Sequence, residues 1–350
     1  MSKAITTNRP NFSAVNTSTI KAELDVLLVE YQSVIDQVAT LENPTWETLI
    51  QPMEELGNKL SLFWSPVSHL NSVMNSEELR EAYNACLPTF SEFNTKLGQN
   101  NDLYNATLRL RDSDEFKTLD VAQQKSLNNE IRDFELGGVS LTDADKKRYG
   151  EIAQALSKLT TKFSDNVLDA TNAWEKLIDD ENLLKGLPDS ALAAAKQRAE
   201  QKEQKGWLLN LEFPTYYSVM LFCDNAELRQ EMYTAYGSRA SDKGPHAGKY
   251  DNSDIALEIL QLRAELAGLL GYNNYAEKSV VPKMVDSPKQ VVDFLNDLAQ
   301  KSVPEARCEY KALEAFANSN LGIKKLFAWD VAYASDKLKQ EQYAISDEDL

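Results

Sequence analysis

Apolar residues recur at steps of three and four along most of the chain, which is the spacing of an amphipathic helix. The first stripe with this spacing comprises Ile20, Leu24, Leu27, Tyr31, Val34, Val38 and Leu41. The pair Asn43-Pro44 is expected to end this helix, because proline cannot continue it. Another helix is predicted to begin near Asn75, with Glu78 three residues on as part of its cap.

Prolines and glycines indicate where further helices are interrupted. Pro52 and Pro66 are expected to kink or divide the helix that Thr45 caps. Helical spacing then continues to the pair Gly137-Gly138, which is typical of a helix end, and Thr142 is expected to open the next helix. The first part of the chain is therefore predicted to be a succession of helices.

Two short segments, 173–178 and 207–213, are candidate strands, and they flank a helix that begins at Pro188. Two further helices, begun by Pro214 and Asn225, follow these segments, and the second is expected to end near Ala240. The sequence therefore predicts an all-α protein, mostly helical, with a few short strands.

Two segments near the end of the chain have distinct signals. The polar, glycine-containing stretch from Ser241 to Ser253 predicts a loop. Residues 346–350 combine a serine, three acidic residues and a leucine, which is typical of a helix start. We expect the chain to be cut from a larger protein that continues this helix.

Composition and charge narrow the class of protein. The chain has 37 basic and 54 acidic side chains, a formal charge of −17, and such a field repels nucleic acid. No signal peptide or membrane span is predicted from its apolar runs. Cys86, Cys223 and Cys308 have no Cys-x-x-Cys spacing, so reduced core thiols are expected. A cytoplasmic protein fits these features best.

The sequence lacks motifs that carry chemistry alone. Its two histidines, His69 and His246, do not form the His-Glu-x-x-His motif of zinc helices. His69 lies in an apolar stretch and is expected to be packed and hydrogen-bonded. His246 lies between Gly244 and Gly248 in a segment superficially similar to a phosphate-binding loop. The glycine spacing is one residue short and Tyr250 stands where a serine or threonine should be, so a flexible loop is predicted.

Several ordered stretches together resemble a known family. They are Leu211–Tyr217, Asp224–Tyr236, Ser238–Ser241, Leu262–Tyr272, Tyr275–Ser279 with Lys283-Met284, and Phe327–Asp330 with Tyr333. In this order they resemble the middle region of the thimet-oligopeptidase family of zinc metallopeptidases. Ser164–Asp169 and Gly186–Pro188 resemble the bacterial oligopeptidase A branch of that family in particular.

The resemblance implies an architecture of two helical lobes around a deep, narrow channel that admits short peptides. It also implies a zinc ion in the intact enzyme, held by His-Glu-x-x-His and a later glutamate. Those residues are expected beyond this sequence, so no catalytic or metal-binding residue is assigned here and no zinc is expected on this chain. By analogy residues 1–140 belong to the first lobe and 141–350 mostly to the second, which is incomplete at its C-terminal side. Gly244, His246 and Gly248 are then candidates for the edge of the substrate channel.

Two hypotheses remain open at this point, and a third ranks last. The first is the N-terminal half of a peptidase, inactive alone, whose partners are short peptides and the missing C-terminal half. The alternative is a non-catalytic helical scaffold that binds peptides or proteins. A helical-repeat module ranks last because no fixed period is found.

Overall fold

The computed structural model describes residues 10–346 and 348. It confirms the predicted class, because helices make up most of the described chain and the two strands are short. The helices are α1 Ile20–Val38, α2 Gln51–Val73, α3 Glu77–Gly98, α4 Asn101–Arg111, α5 Val121–Leu136, α6 Asp143–Ala173, α7 Asp189–Gln201, α8 Phe213–Phe222, α9 Ala226–Gly237, α10 Ser253–Leu269, α11 Tyr275–Val280, α12 Pro288–Leu321 and α13 Ala328–Tyr343. The strands are β1 Glu175–Ile178 and β2 Trp207–Asn210.

Contacts divide the chain into two units. The first is Met1–Thr160 with Ile259–Pro288, and the second is Thr161–Glu258 with Lys289–Leu350. The core of the first unit is built from α1 to α5 around fully buried leucines such as Leu24, Leu103 and Leu127. The family's lobe boundary, expected near residue 140, remains a prediction.

The buried stripe of α1 differs from the predicted one after its second member. Its buried residues are Ile20, Leu24, Leu28, Tyr31, Ile35 and Val38. The predicted positions Leu27 and Val34 are only partly buried. The predicted set repeats every 3.5 residues on average, whereas a straight α-helix has about 3.6 residues per turn, so the buried face drifts along the helix.

Several predicted boundaries are confirmed, and some shift by a few residues. The Thr45 side chain accepts a hydrogen bond from the Thr48 N–H and opens a short π-helical segment before α2. The cap of α3 is Ser76, one residue after the predicted start. Pro66 does not divide α2, which continues to Val73; it costs the helix one backbone N–H donor instead.

The strand segments form an antiparallel hairpin in the second unit, in which Glu175 pairs with Asn210 and Ile178 with Trp207. The prediction that the second strand extends to residue 213 is wrong, because Phe213 already belongs to α8. Helix α9 likewise ends at Gly237 rather than near Ala240. The core of this unit packs the hairpin against α7, α8 and α9 through residues such as Leu209, Val219 and Met232.

Helix α12 is buried only near its C-terminal end, where Leu313 and Ala317 pack against Leu326 and Ala334. Its earlier part is exposed, including the side chains of Phe294 and Leu295. Among the described residues no helix combines the length and apolarity needed to cross a membrane. Of the predicted helix start at 346–350, the Ser346 Oγ accepts a hydrogen bond from the Glu348 N–H, and residues 347, 349 and 350 lie outside the described residues.

Candidate functional site

The predicted loop between α9 and α10 is confirmed, and backbone hydrogen bonds close its base. The Asn252 N–H donates to the Ala240 carbonyl at 3.0 Å, and the Gly248 N–H donates to the Ser241 carbonyl at 3.2 Å. The Ser241 hydroxyl donates to the Ser238 carbonyl at 2.8 Å. These bonds give the segment a defined path although its residues are mostly exposed.

The two loop glycines have different surroundings. Both have a left-handed backbone, with φ of +80° at Gly244 and +76° at Gly248. A β-carbon at Gly244 would overlap the Ser238 hydroxyl, whereas one at Gly248 would meet nothing within 4 Å. Gly244 is therefore fixed by its neighbour as well as by its backbone.

The ring of His246, like the loop that carries it, belongs to the second unit. Its Nε2 atom is buried and has no hydrogen-bond partner among the described residues. The ring lines a small cavity of about 10 Å³ together with Trp174, Ser238 and Arg239. A cavity of that size has room for about one water molecule, which is the usual partner of such an atom. The structure thus brings His246 next to Ser238, which Gly244 approaches, while Gly248 does not line this cavity.

The prediction of a packed, hydrogen-bonded His69 is wrong. His69 is exposed on α2, and its ring meets the edge of Phe12 with the ring centroids 5.5 Å apart. Cys86 and Cys223 are buried as expected, but Cys308 is exposed on α12. No group of three or more His, Cys, Asp or Glu in the described part of the chain has the arrangement of a metal site.

A buried ion pair in the second unit was not predicted from the sequence. The Arg229 Nη2 atom donates to the Asp330 Oδ1 at 2.6 Å, and their side chains are 1% and 4% exposed. The other Arg229 nitrogens donate to the carbonyls of Cys223, at 2.6 Å, and Trp329, at 3.3 Å. Every guanidinium nitrogen therefore has an acceptor, which is what a buried charge requires.

Tyr333 completes this cluster. Its ring lies 4.2 Å from the Arg229 guanidinium carbon, and its hydroxyl donates to the Asp224 Oδ1 at 2.9 Å. Burial, followed by the hydrogen bond to Asp224 and its charge, raises the pKa of Tyr333 to about 12. Burial also raises the pKa of the neighbouring Cys223 thiol, which disfavours the reactive thiolate. The cluster therefore joins α9 and α13 and presents no activated nucleophile.

One sequence signal could have indicated this cluster. Arg229 lies beside Leu228 and three residues before Met232, all on the buried face of α9. A cation at such a position needs an internal anion. The stretches around Asp224 and Phe327–Asp330, which carry much of the family resemblance, meet at this cluster.

Comparison with protein families gives two matches. Residues 24–146 match "Neurolysin/Thimet oligopeptidase, N-terminal domain". Residues 219–350 match "Peptidase family M3". The first match falls within the first unit, and the second includes the loop and the buried cluster.

Curated relatives agree with these matches. Oligopeptidase A of Salmonella typhimurium is 51% identical over 97% of this chain and 50% of its own length. Oligopeptidase A of Escherichia coli is 50% identical with the same coverage. The organellar oligopeptidase A of Arabidopsis thaliana is 35% identical over 97% of this chain and 44% of its own length. The chain spans about half the length of the curated relatives it matches, and it belongs to peptidase family M3, with the N-terminal domain of the thimet oligopeptidases at its start.

Proposed function

We propose that this chain is the N-terminal half of an oligopeptidase A-like zinc metalloendopeptidase that hydrolyses short peptides within a deep channel. The observation that supports this most strongly is the 51% identity to Salmonella oligopeptidase A over 97% of the chain but 50% of the relative. We place the zinc-binding residues in the other half, because His-Glu-x-x-His does not occur in these 350 residues.

In this proposal the chain supplies scaffold and channel wall and is inactive alone. Its partners are short peptides and the C-terminal half of the same enzyme, and nucleic acid is disfavoured by the charge of −17. We assign the enzyme to the cytoplasm and its first lobe to roughly residues 1–140. Gly244, His246 and Gly248 are proposed to lie at the channel edge. The loop's exposed residues and closed base support this assignment, since a binding loop must present side chains on a fixed path.

The test is cleavage of a quenched fluorescent peptide by the purified chain, with and without added zinc. The same chain is then mixed with a separately expressed C-terminal half of a related oligopeptidase A. We expect no cleavage by the chain alone and zinc-dependent cleavage by the mixture. Zinc-dependent cleavage by the chain alone, with contaminating proteases excluded, would show that the proposed division of the site is wrong.

No cleavage in either sample, with both halves shown to be folded, would favour the alternative of a non-catalytic scaffold. That protein would still bind short peptides, which fluorescence polarisation with a labelled peptide measures directly. The two functions are therefore separated by activity on mixing and not by binding.

The loop assignment has its own test in the reconstituted enzyme. His246→Ala should raise KM for a short peptide several-fold and leave kcat nearly unchanged, because the packed ring anchors the loop, and the loop would contribute to binding and not to the reaction. The matched control is His69→Ala, which alters the other histidine of the chain, exposed on α2. Equal kinetics for the two variants would contradict the assignment of the loop to the channel edge.

A further inference from the structure

The second unit contains a cavity that the proposed function does not use. It has a volume of about 210 Å³ and lies among α7, β2 and α8. Its apolar wall includes Leu187, Leu209 and Val219, all buried. Ligand pockets commonly measure about 300–1,000 Å³, so a cavity of this size suits a small molecule or a single side chain.

The cavity also has four polar side chains capable of donating hydrogen bonds: Ser190, Arg198, Thr215 and Ser218. Thr215 is only 8% exposed. Within the described residues, the hydroxyls of Ser190, Thr215 and Ser218 have no hydrogen-bond partner. Ser190 is exposed and Ser218 is half-buried, so the buried Thr215 is the hydroxyl for which the lack of a partner is unusual.

Arg198 has a similarly incomplete set of partners. Its Nε atom donates to the Leu208 carbonyl at 3.1 Å, which holds the guanidinium beside β2. Among the described residues no carboxylate forms an ion pair with it, although the charge of Glu212 acts on it from farther away. Burial lowers the pKa of Arg198, whereas Arg229, in the same unit, has an aspartate at 2.6 Å. An unpaired, partly buried cation is unusual in a chain with a charge of −17.

The position of the helices adds to this preference for an anion. Ser190 lies in the first turn of α7, and Pro214 and Thr215 lie in the first turn of α8. The N-terminal turn of a helix carries partial positive charge and free N–H groups. Both helix starts therefore add to the positive character that Arg198 gives the cavity.

We propose that this cavity binds the carboxylate of a small organic acid with an apolar body. Arg198 would hold the carboxylate through its free Nη groups, and Ser190, Thr215 and Ser218 would donate to the remaining oxygen lone pairs. Leu187, Leu209 and Val219 would contact the apolar body. The carboxylate belongs either to a free acid or to the C-terminal residue of a peptide, since both present the same group.

The first experiment measures binding to the full 350-residue chain by isothermal titration calorimetry. The probe is 4-methylpentanoate, and its neutral isostere 4-methylpentanamide is the control. We expect the acid to bind at least tenfold more tightly than the amide, because the amide leaves the guanidinium without an anion. N-acetyl-leucine distinguishes the sources: tighter binding than 4-methylpentanoate assigns the site to peptide C-termini, and weaker binding assigns it to free acids.

Variants then locate the site. Arg198→Gln should weaken binding of the acid at least tenfold, and Arg307→Gln, the same change at an exposed position on α12, should leave it unchanged. Thr215→Val and Ser218→Ala should each weaken binding several-fold, and they decide the question if Arg198→Gln does not fold by circular dichroism. Equal binding of acid and amide, no binding of either acid, or full affinity in the folded hydroxyl variants would overturn the proposal. This test requires no peptidase activity, so it stands apart from the proposed function.

Discussion

At the scale of single residues, Gly244 and Gly248 offer a matched pair. Both have a left-handed backbone, but only Gly244 faces another group at short range. Gly248→Ala should lower the free energy of unfolding by about 1 kcal/mol through backbone strain alone. Gly244→Ala should cost about 1–3 kcal/mol more, because its β-carbon must displace the Ser238 hydroxyl. Urea denaturation followed by fluorescence measures both.

A Ser238→Ala background provides the control for that pair. The Ser238 hydroxyl donates to the Thr234 carbonyl at 2.6 Å, so its removal has its own small cost. In this background the difference between the two glycine variants should shrink. An unchanged difference would mean that the contact with Ser238 is not what constrains Gly244.

Breaking the ion pair of Arg229 and Asp330 is expected to cost more stability than the glycine substitutions. Arg229→Met leaves a buried carboxylate without its cation and should lower the free energy of unfolding by about 3–5 kcal/mol. The double variant Arg229→Met with Asp330→Leu should recover part of this loss, since no charge remains buried. Chemical denaturation of the two single variants, Arg229→Met and Asp330→Leu, and of the double variant gives the coupling free energy between the two side chains. A double variant less stable than both singles would show that packing, and not charge, dominates.

We expect the folded chain to lose stability in alkali because of Tyr333. Its pKa is raised to about 12 in the folded chain from the ordinary value of 10.0, so the unfolded chain releases the proton first. The stability that Tyr333 contributes through this pKa difference is fully present below pH 10 and is lost as the pH rises through about 12. Tyr333→Phe should be less stable at pH 8, by about 1 kcal/mol for the lost hydrogen bond, and should lose less stability between pH 10 and 12.

The control for Tyr333 is Tyr343→Phe, because Tyr343 is 68% exposed. Unfolding at several alkaline pH values should give parallel curves for this control and the unchanged chain. A curve for Tyr333→Phe that is also parallel would exclude Tyr333 as a source of the alkaline loss.

The sequence predicted the loop of His246 but not the cluster of Arg229, and the reason lies in chain separation. A loop is encoded by neighbouring glycines, proline and polar residues, which a single sequence displays directly. Arg229 and Asp330 are 101 residues apart, so only the fold brings them together. The prediction for His69 is wrong for a different reason. Val67 and Asn71 are buried on α2, whereas His69 lies between them on an exposed face of the same helix.

At the scale of elements, helix starts were more predictable than buried faces. Thr45, Asn225 and the region of Thr142 have cap chemistry that acts within a few residues, and the structure shows it at each position. Helix faces depend on a period that must hold over several turns. A difference of about 0.1 residue per turn therefore moved the α1 stripe from Leu27 to Leu28.

Helix α12 combines buried and exposed leucines on one element. Leu313 is 7% exposed and Leu295 is 55% exposed. Leu313→Ala should lower the free energy of unfolding by about 2–4 kcal/mol, through lost burial and a residual cavity. Leu295→Ala should change it by less than about 0.5 kcal/mol. Denaturation of the two variants compares the same substitution on one helix, and similar losses would mean that Leu295 is also buried in solution.

At the scale of the whole molecule, the two units have separate hydrophobic cores. Leu24 belongs to the core of the first unit and Leu209 to that of the second, and both are almost fully buried. Helices α6 and α10 contribute residues to both units. A local loss of packing should therefore remain within one unit unless these helices transmit it.

Hydrogen exchange by mass spectrometry tests this independence with one substitution in each core. Leu24→Ala should accelerate exchange of amides in α1, α3 and α4 and leave the β1–β2 hairpin unchanged, because the cavity weakens only the first core. Leu209→Ala should accelerate exchange in the hairpin and α7 and leave α1 unchanged. Amides of α6 and α10 should respond to both variants. Acceleration of the hairpin by Leu24→Ala to the same extent as α1 would contradict separate units, since it requires both cores to open in one cooperative step.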